Sequence, residues 1–89
     1  MTIPELSWRS SDELGEVFMN LYLLGKDKPE IEKEINAITK ILNKRPMKEK
    51  IRIYKALNSA ACQFSYAEKY EIAEKFRDMG QYFCSKVID

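Results

Sequence analysis

The fold is decided by LGEVFMNLYLLG at residues 14–25, a stretch that places seven apolar residues between two glycines. Its main apolar stripe repeats at spacings of three and four and consists of Leu14, Val17, Phe18, Leu21 and Leu24. This spacing predicts a helix from about residue 11 to residue 24. Three further apolar side chains lie beside or outside the stripe: Met19, Tyr22 and Leu23. The helix is therefore apolar around most of its circumference, and a single neighbouring helix would not cover it.

Both ends of this helix carry recognisable signals. Ser10 and Glu13 form a capping-box pattern, in which each side chain satisfies a free backbone amide at the helix start. Gly25 suits the left-handed conformation that ends many helices. Gly15 lies inside the helix, where glycine costs up to about 1 kcal/mol relative to alanine. Two interpretations stay open for it: close approach of another backbone, or a tolerated surface position in the first turn.

A second helix is predicted around Pro29. Asp27 and Glu30 repeat the capping-box pattern, so Asp27 is expected to be the N-cap of this helix. The apolar stripe is the cleanest in the chain and consists of Ile31, Ile35, Ile38, Ile41 and Leu42. The helix should end at residues 43–46, because the residue before a proline is pushed away from helical geometry.

A third helix is expected to follow Pro46. Its apolar stripe consists of Met47, Ile51, Tyr54, Leu57, Ala61 and Phe64. The stripe changes phase at Glu68, and Ser65 with Glu68 gives another capping-box pattern. We therefore expect a break or bend near residues 65–69 and a last helix that runs to about Lys86. One continuous helix through this region is the alternative.

The composition agrees with one small helical domain. Of the 89 residues, 45% are apolar and 33% are charged, and only three glycines and three prolines are present. We predict an all-α fold of about four helices, a small bundle or stacked helical hairpins, in a single domain over residues 1–89. Residues 1–9 are expected to form an irregular arm. In that arm, Trp8 is expected to cover the bundle, with a ligand anchor as the alternative.

The sequence also indicates a compartment. Its start lacks the apolar core of a signal peptide, and no apolar run approaches the roughly 18–20 residues that span a bilayer. We therefore expect a cytoplasmic protein without membrane contact. Cys62 and Cys84 are expected to be free thiols in a reducing environment, with Cys62 buried.

No catalytic chemistry is indicated by the sequence. It contains no histidine, which removes the commonest general base and the commonest transition-metal ligand. Two cysteines cannot complete a four-ligand zinc site within one chain. Glycine-rich phosphate loops and nucleophile motifs are also missing. We therefore predict that the protein is not an enzyme and uses no metal, cofactor or small-molecule substrate.

The net charge of +1 conceals a basic middle segment. Residues 1–39 carry four Lys or Arg and eight Asp or Glu, residues 40–55 carry seven and one, and residues 56–89 carry four and five. The candidate contacts for phosphates or an acidic protein are Lys44, Arg45, Lys48, Arg52 and Lys55. All except Arg45 recur at spacings of three or four, so we expect them to share one helix face. A solvated face and a contact with the acidic first half of the same molecule are the alternatives.

The stretch ELGEVFMNLYLLG at residues 13–25 resembles the opening of small enterobacterial regulators of biofilm formation and acid resistance, the YmgB/AriR and YcgZ group. The matching residues there are Leu14, Gly15, Asn20, Leu21, Leu23 and Gly25. Further similar positions are Ile35, Ile38, Leu42, Ile51 and Arg52, so the resemblance spans about residues 12–58. The chain departs from this family by an additional C-terminal helix. The resemblance implies a cytoplasmic all-α homodimer that modulates a signalling or transcription pathway.

A second resemblance concerns ALNSAACQFSYAEKYEIAEKFRDMG at residues 56–80, which is similar to one tetratricopeptide-type helix hairpin. The small and aromatic positions that match are Leu57, Ala60, Ala61, Phe64, Tyr70, Ala73 and Gly80. One such repeat cannot bury its own apolar face, so the preceding helices or a partner must cover it. Ordinary close packing through alanines is the alternative interpretation.

Three functional hypotheses follow. The leading one is a non-enzymatic regulatory adaptor that binds protein, as a homodimer or with a partner, through Phe18, Leu21, Tyr22 and Leu23. The second is a small chaperone or inhibitor that holds one partner subunit through the tetratricopeptide-like hairpin. The third is a nucleic-acid binder that acts through residues 40–55, although this segment has no interleaved aromatic side chains and no helix-turn-helix pattern.

Overall fold

The computed structural model describes residues 8–89 as four α-helices and a final π-helical turn. The helices are α1 (Ser11–Gly25), α2 (Pro29–Asn43), α3 (Met47–Tyr66) and α4 (Tyr70–Phe83), and the π-helical turn is Cys84–Ile88. Strands do not occur in this part of the chain, so the all-α prediction is confirmed. The predicted arm at residues 1–9 lies outside the described residues except for Trp8 and Arg9.

The start and end of α1 are those that the sequence predicted. The Ser10 hydroxyl accepts a hydrogen bond of 3.2 Å from the Glu13 amide. Only this half of the capping box is present, because the Glu13 carboxylate pairs with Arg9 at 3.5 Å. Gly25 ends the helix with a φ of 147°, a conformation that favours glycine.

The start of α2 corrects the prediction of Asp27 as its N-cap. Lys28 occupies the N-cap position with φ −76° and ψ 129°, and no side chain caps the helix. The cause is Pro29, since a proline pushes the preceding residue into extended geometry and is itself tolerated in the first turn. The helix therefore begins after Lys28, and Asp27 stays in the connection.

The predicted break near residues 65–69 is confirmed, but its chemistry is different from the predicted capping box. Ser65 still belongs to α3. The Lys69 amide donates to the Phe64 carbonyl at 2.8 Å and the Glu68 amide donates to the Ser65 carbonyl at 3.0 Å. This is the hydrogen-bond pattern of a Schellman C-terminus, with Glu68 at a φ of 62° where glycine is the usual residue.

The helices enclose one apolar core. Its largest fully buried side chains are Phe18, Phe83, Leu14, Ile35, Ile38, Leu42, Met79 and Val87. Every helix contributes to the core, so the apolar face of the α3–α4 hairpin is covered by the preceding helices of the same chain. The terminal turn joins the core through Val87, and the Asn43 side-chain amide donates to the carbonyl of Val87 at 3.1 Å.

Two surface expectations are wrong. Trp8 is 86% exposed and does not cover the bundle. Cys62 is exposed rather than buried, because it follows Ala61 on α3 and points away from the core. Within residues 8–89, none of the helices combines the length and the apolar character needed to cross a membrane.

Candidate protein-binding surface

The four side chains predicted to bind a partner are divided by the structure between the core and the surface. Phe18 has no exposed area and belongs to the core, so it cannot form part of an outer face. Leu21 and Tyr22 are half-buried, and Leu23 is 37% exposed. The neighbouring Leu24 is 66% exposed, although the sequence placed it on the inner stripe. The most exposed apolar side chains of α1 therefore lie at its C-terminal end.

Tyr22 is engaged within the molecule. Its ring lies 5.8 Å from the ring of Tyr82 and 5.9 Å from the ring of Phe18. The Lys26 ammonium donates a hydrogen bond of 3.4 Å to the Tyr22 hydroxyl and lies above both tyrosine rings, 5.2 Å and 5.4 Å from their centroids. Substitution of Tyr22 would therefore disturb packing between α1 and α4 as well as any outer contact.

This cluster of tyrosines and Lys26 shifts two pKa values in the same direction. The hydrogen bond to Tyr22 raises the pKa of Lys26, because it stabilises the charged ammonium. Burial raises the pKa of Tyr82, because it disfavours the phenolate. Both groups hold their protons at neutral pH, so the cation–aromatic contact is intact there.

A groove of about 310 Å³ lies between α1 and α3. Its apolar floor consists of Gly15 and Met19 from α1 and Ile53, Ala56 and Leu57 from α3. A Cβ atom on Gly15 would lie 3.1–3.3 Å from three atoms of Ile53. Neither interpretation of Gly15 holds as predicted: the position is buried and not on the surface, and the close neighbour is the side chain of Ile53 and not a backbone.

The direction of the two helices follows from their contacts. Ser11 donates a hydrogen bond to Glu49, Asp12 pairs with Arg52, and Gly15 lies against Ile53. The residue numbers rise together, so α1 and α3 run in the same direction. The Asp12–Arg52 ion pair, at 3.1 Å, spans the groove at its N-terminal end.

The predicted basic segment does not form one face. Arg45 donates to the Arg9 carbonyl at 2.9 Å and to the Ser11 hydroxyl at 3.2 Å, so it ties the α2–α3 connection to the start of α1. Lys44 precedes Pro46 and therefore lies outside α3, which corrects its assignment to the shared face. It lines a polar depression together with Lys40 and Lys86.

The remaining basic residues, Lys48, Arg52 and Lys55, do share a face of α3, and all three are exposed. Arg52 reaches across to Asp12, as expected from the alternative in which the basic segment contacts the acidic first half of the molecule. Lys48 and Lys55 have no ion-pair partner among residues 8–89. The exposed face of α3 next to the groove is thus positively charged, while within the groove Arg52 is paired with Asp12.

The groove itself was missed by sequence reasoning, because its two walls are about 40 residues apart in the chain. Gly15 was the only signal that pointed to it. Ala56 and Glu16 carry no pattern that would distinguish them from other exposed helical positions.

Comparisons with protein-family models, curated proteins and solved structures found no match. The resemblances to the YmgB/AriR and YcgZ group and to a tetratricopeptide hairpin therefore remain predictions. Of the positions that carry the first resemblance, Gly15 lines the groove, Leu23 is exposed near the end of α1, and Leu14 is buried in the core.

Proposed function

We propose that this protein is a non-enzymatic regulatory adaptor that acts by binding protein, either a second copy of itself or another chain. The observation that supports this most directly is the exposure of two adjacent leucines, Leu23 and Leu24, at the end of α1. Burial of a leucine side chain contributes about 1.5–3 kcal/mol, so a partner that covers both gains a substantial part of its binding energy there. A role in a bacterial signalling or transcription pathway is what the resemblance to the YmgB/AriR group adds.

The proposal is tested by the double variant Leu23→Glu with Leu24→Glu. We expect light scattering to show a dimer for the wild type at micromolar concentrations and a monomer for this variant, because four carboxylates would be buried in the contact. Far-UV circular dichroism should be unchanged, since neither leucine belongs to the buried core. The pair Tyr22→Glu with Leu23→Glu is a poorer choice, because Tyr22 packs on Tyr82.

A matched control is Tyr70→Glu with Ile72→Glu, which adds the same two charges at exposed apolar positions of α4. This control should retain the association of the wild type. If the wild type is monomeric at high micromolar concentration, self-association is excluded. Binding to another chain is then tested by purifying tagged protein from the native host. A stoichiometric partner that copurifies with the control and not with the Leu23/Leu24 variant supports the adaptor. If the two variants copurify with the same proteins, the proposal is contradicted.

A further inference from the structure

We infer that the groove between α1 and α3 binds one amphipathic helix of a partner protein, and that this helix has a basic edge and an acidic edge beside its apolar stripe. The inference rests on the proposed function, since it names the place and the kind of partner for the same association. Three features of the groove support it: its walls, its length and the charges along its edges.

The walls favour a helical partner. Both are α-helices, whose backbone amides and carbonyls bond within their own chain. An extended segment would find no backbone partner there, and its own amides would lose their hydrogen bonds to water. A helix satisfies its own backbone and presents side chains only, as in other complexes where a helix lies in an apolar groove.

The length of the groove fits about two helical turns. Its lining residues on α1 run from Asp12 through Gly15 and Glu16 to Met19. This stretch is about 11 Å long at 1.5 Å per residue. A partner helix could therefore place apolar side chains at i, i+4 and i+7 over the apolar floor, where Ala56 is exposed.

The edges of the groove carry opposite charges. On α1 the exposed side chains that line the groove are acidic, Asp12 and Glu16. Asp12 pairs with Arg52, whereas Glu16 has no ion-pair partner among residues 8–89. On α3 the charged lining residue is Arg52, and Lys48 and Lys55 lie on the same exposed face of the helix, next to the lining. A partner helix must therefore present basic side chains toward α1 and acidic side chains toward α3.

The same charges argue against α1 of a second copy as the occupant. Residues 11–25 contain Asp12, Glu13 and Glu16 and no Lys or Arg. If that helix lay in the groove, its carboxylates would attract the basic side chains of α3 but would repel the acidic side chains of α1, which is destabilising. If a partner helix is turned end to end in the groove, the edge that faced α1 comes to face α3. The charge pattern therefore also determines the direction in which the partner helix binds.

The inference is tested with two designed, fluorescently labelled helical peptides of about four turns. Both carry the same leucines at i, i+4 and i+7. The first has lysines along one edge and glutamates along the other, and the second has glutamates along both. In a fluorescence-anisotropy titration we expect the first peptide to bind about tenfold more tightly, because the second opposes Glu16 with like charge.

Two variants with a control assign the site. Ala56→Arg places a long side chain over the floor at an exposed position and should weaken the first peptide about tenfold or more. Glu16→Lys should weaken the first peptide and strengthen the second. Glu34→Lys makes the same charge change at an exposed position of α2, which does not line the groove, and should leave both peptides unchanged.

The outcomes separate this inference from the proposed function. A monomeric wild type that binds the first peptide, with loss in Ala56→Arg, supports the groove as a partner site. If the wild type is a dimer that Ala56→Arg dissociates, the occupant is a second copy, which overturns the inference and leaves the proposed function standing. Equal affinities of the two peptides, or no saturable binding of either, overturn the inference, while the Leu23/Leu24 test still decides the proposed function.

Discussion

Two helix seams in this protein are built with small residues, and only one of them is closed. Between α3 and α4, Ala61 and Ala73 are buried, and the ring of Phe64 stacks on that of Phe76 with centroids 5.4 Å apart. Between α1 and α3, Gly15 brings α1 against Ile53, yet Ala56 stays exposed and a groove remains. Small residues therefore allow helices to approach but do not decide whether the seam is filled.

The difference lies in the side chains that flank the small residues. In the α3–α4 seam these are aromatic, and they fill the space beside the alanines. In the α1–α3 seam they are Glu16 and Arg52, whose charges are costly to bury. The two charged side chains therefore stay in water, and the apolar floor between them is left uncovered.

The largest expected difference between the seams is in the free energy of unfolding that is lost when a side chain in each seam is truncated to alanine. Phe76→Ala should destabilise the protein by about 3–4 kcal/mol, because it leaves a cavity beside Phe64 in the closed seam. Met19→Ala removes a half-buried side chain at the open groove and should cost about 1 kcal/mol or less. Urea denaturation of both variants measures this. Equal costs would show that the groove is as well packed as the hairpin.

Alanine at Gly15 and at Gly80, the two glycines in helix interiors, should change the free energy of unfolding in opposite directions. At Gly15 a Cβ atom meets three atoms of the buried Ile53, so Gly15→Ala should cost about 1 kcal/mol. At Gly80 the nearest atom is Oδ1 of the exposed Asn58, which can move away. Gly80→Ala should therefore gain about 0.5–1 kcal/mol from helix propensity.

Thermal unfolding of the two glycine variants is the measurement. Combining Gly15→Ala with Ile53→Ala provides a control, because alanine at position 53 lacks all three atoms that the new Cβ meets. In the Ile53→Ala background Gly15→Ala should cost less than in the wild type, and an unchanged cost would assign its effect to another contact.

A smaller gain is expected at the turn that closes the α3–α4 hairpin. Glu68 has a φ of 62°, a region that costs a non-glycine residue about 1–2 kcal/mol. Glu68→Gly removes that strain from the folded state, but glycine also gives the unfolded chain more conformational entropy, which offsets part of the gain. We therefore expect a net stabilisation of about 0.5–1 kcal/mol. Glu68→Ala should give no such gain, and a stabilisation equal to that of Glu68→Gly would contradict the backbone explanation.

The smallest effect concerns pH and the packing of α1 on α4. The folded state raises the pKa of both Lys26 and Tyr82, so it holds these protons more tightly than the unfolded state does. Their contribution to stability is fully present below the unfolded pKa values and is lost as the pH rises above about 10. The urea concentration at the unfolding midpoint, measured from neutral to strongly alkaline pH, should decrease only above about pH 10.

The variant Tyr22→Phe keeps the ring and removes the hydroxyl that accepts the bond from Lys26. Its alkaline loss of stability should be smaller than that of the wild type. A wild-type stability that increases above about pH 10 would show that the pKa shifts have the opposite sign.

Local patterns in the sequence were enough to place the helices. The Ser10 cap, Gly25, Pro46 and the phase change at Glu68 each mark a real boundary. The errors at these boundaries, Asp27 and Ser65, arose where two local signals competed, since Pro29 and the Schellman bonds outweighed the capping-box patterns. The exposed Trp8 and Cys62 were misplaced because burial depends on neighbours from other helices.

The sequence by itself determined the fold class, the number of helices and the surplus of apolar surface on α1, because these follow from residue spacing along one chain segment. Only the tertiary structure decided which part of that surface stays open. Phe18 and Tyr22 are covered by residues of α4, whereas Leu23 and Leu24 extend past the packing partners. The groove and its opposite charges exist because α1 and α3 lie side by side, a contact between residues about 40 positions apart that no local pattern encodes.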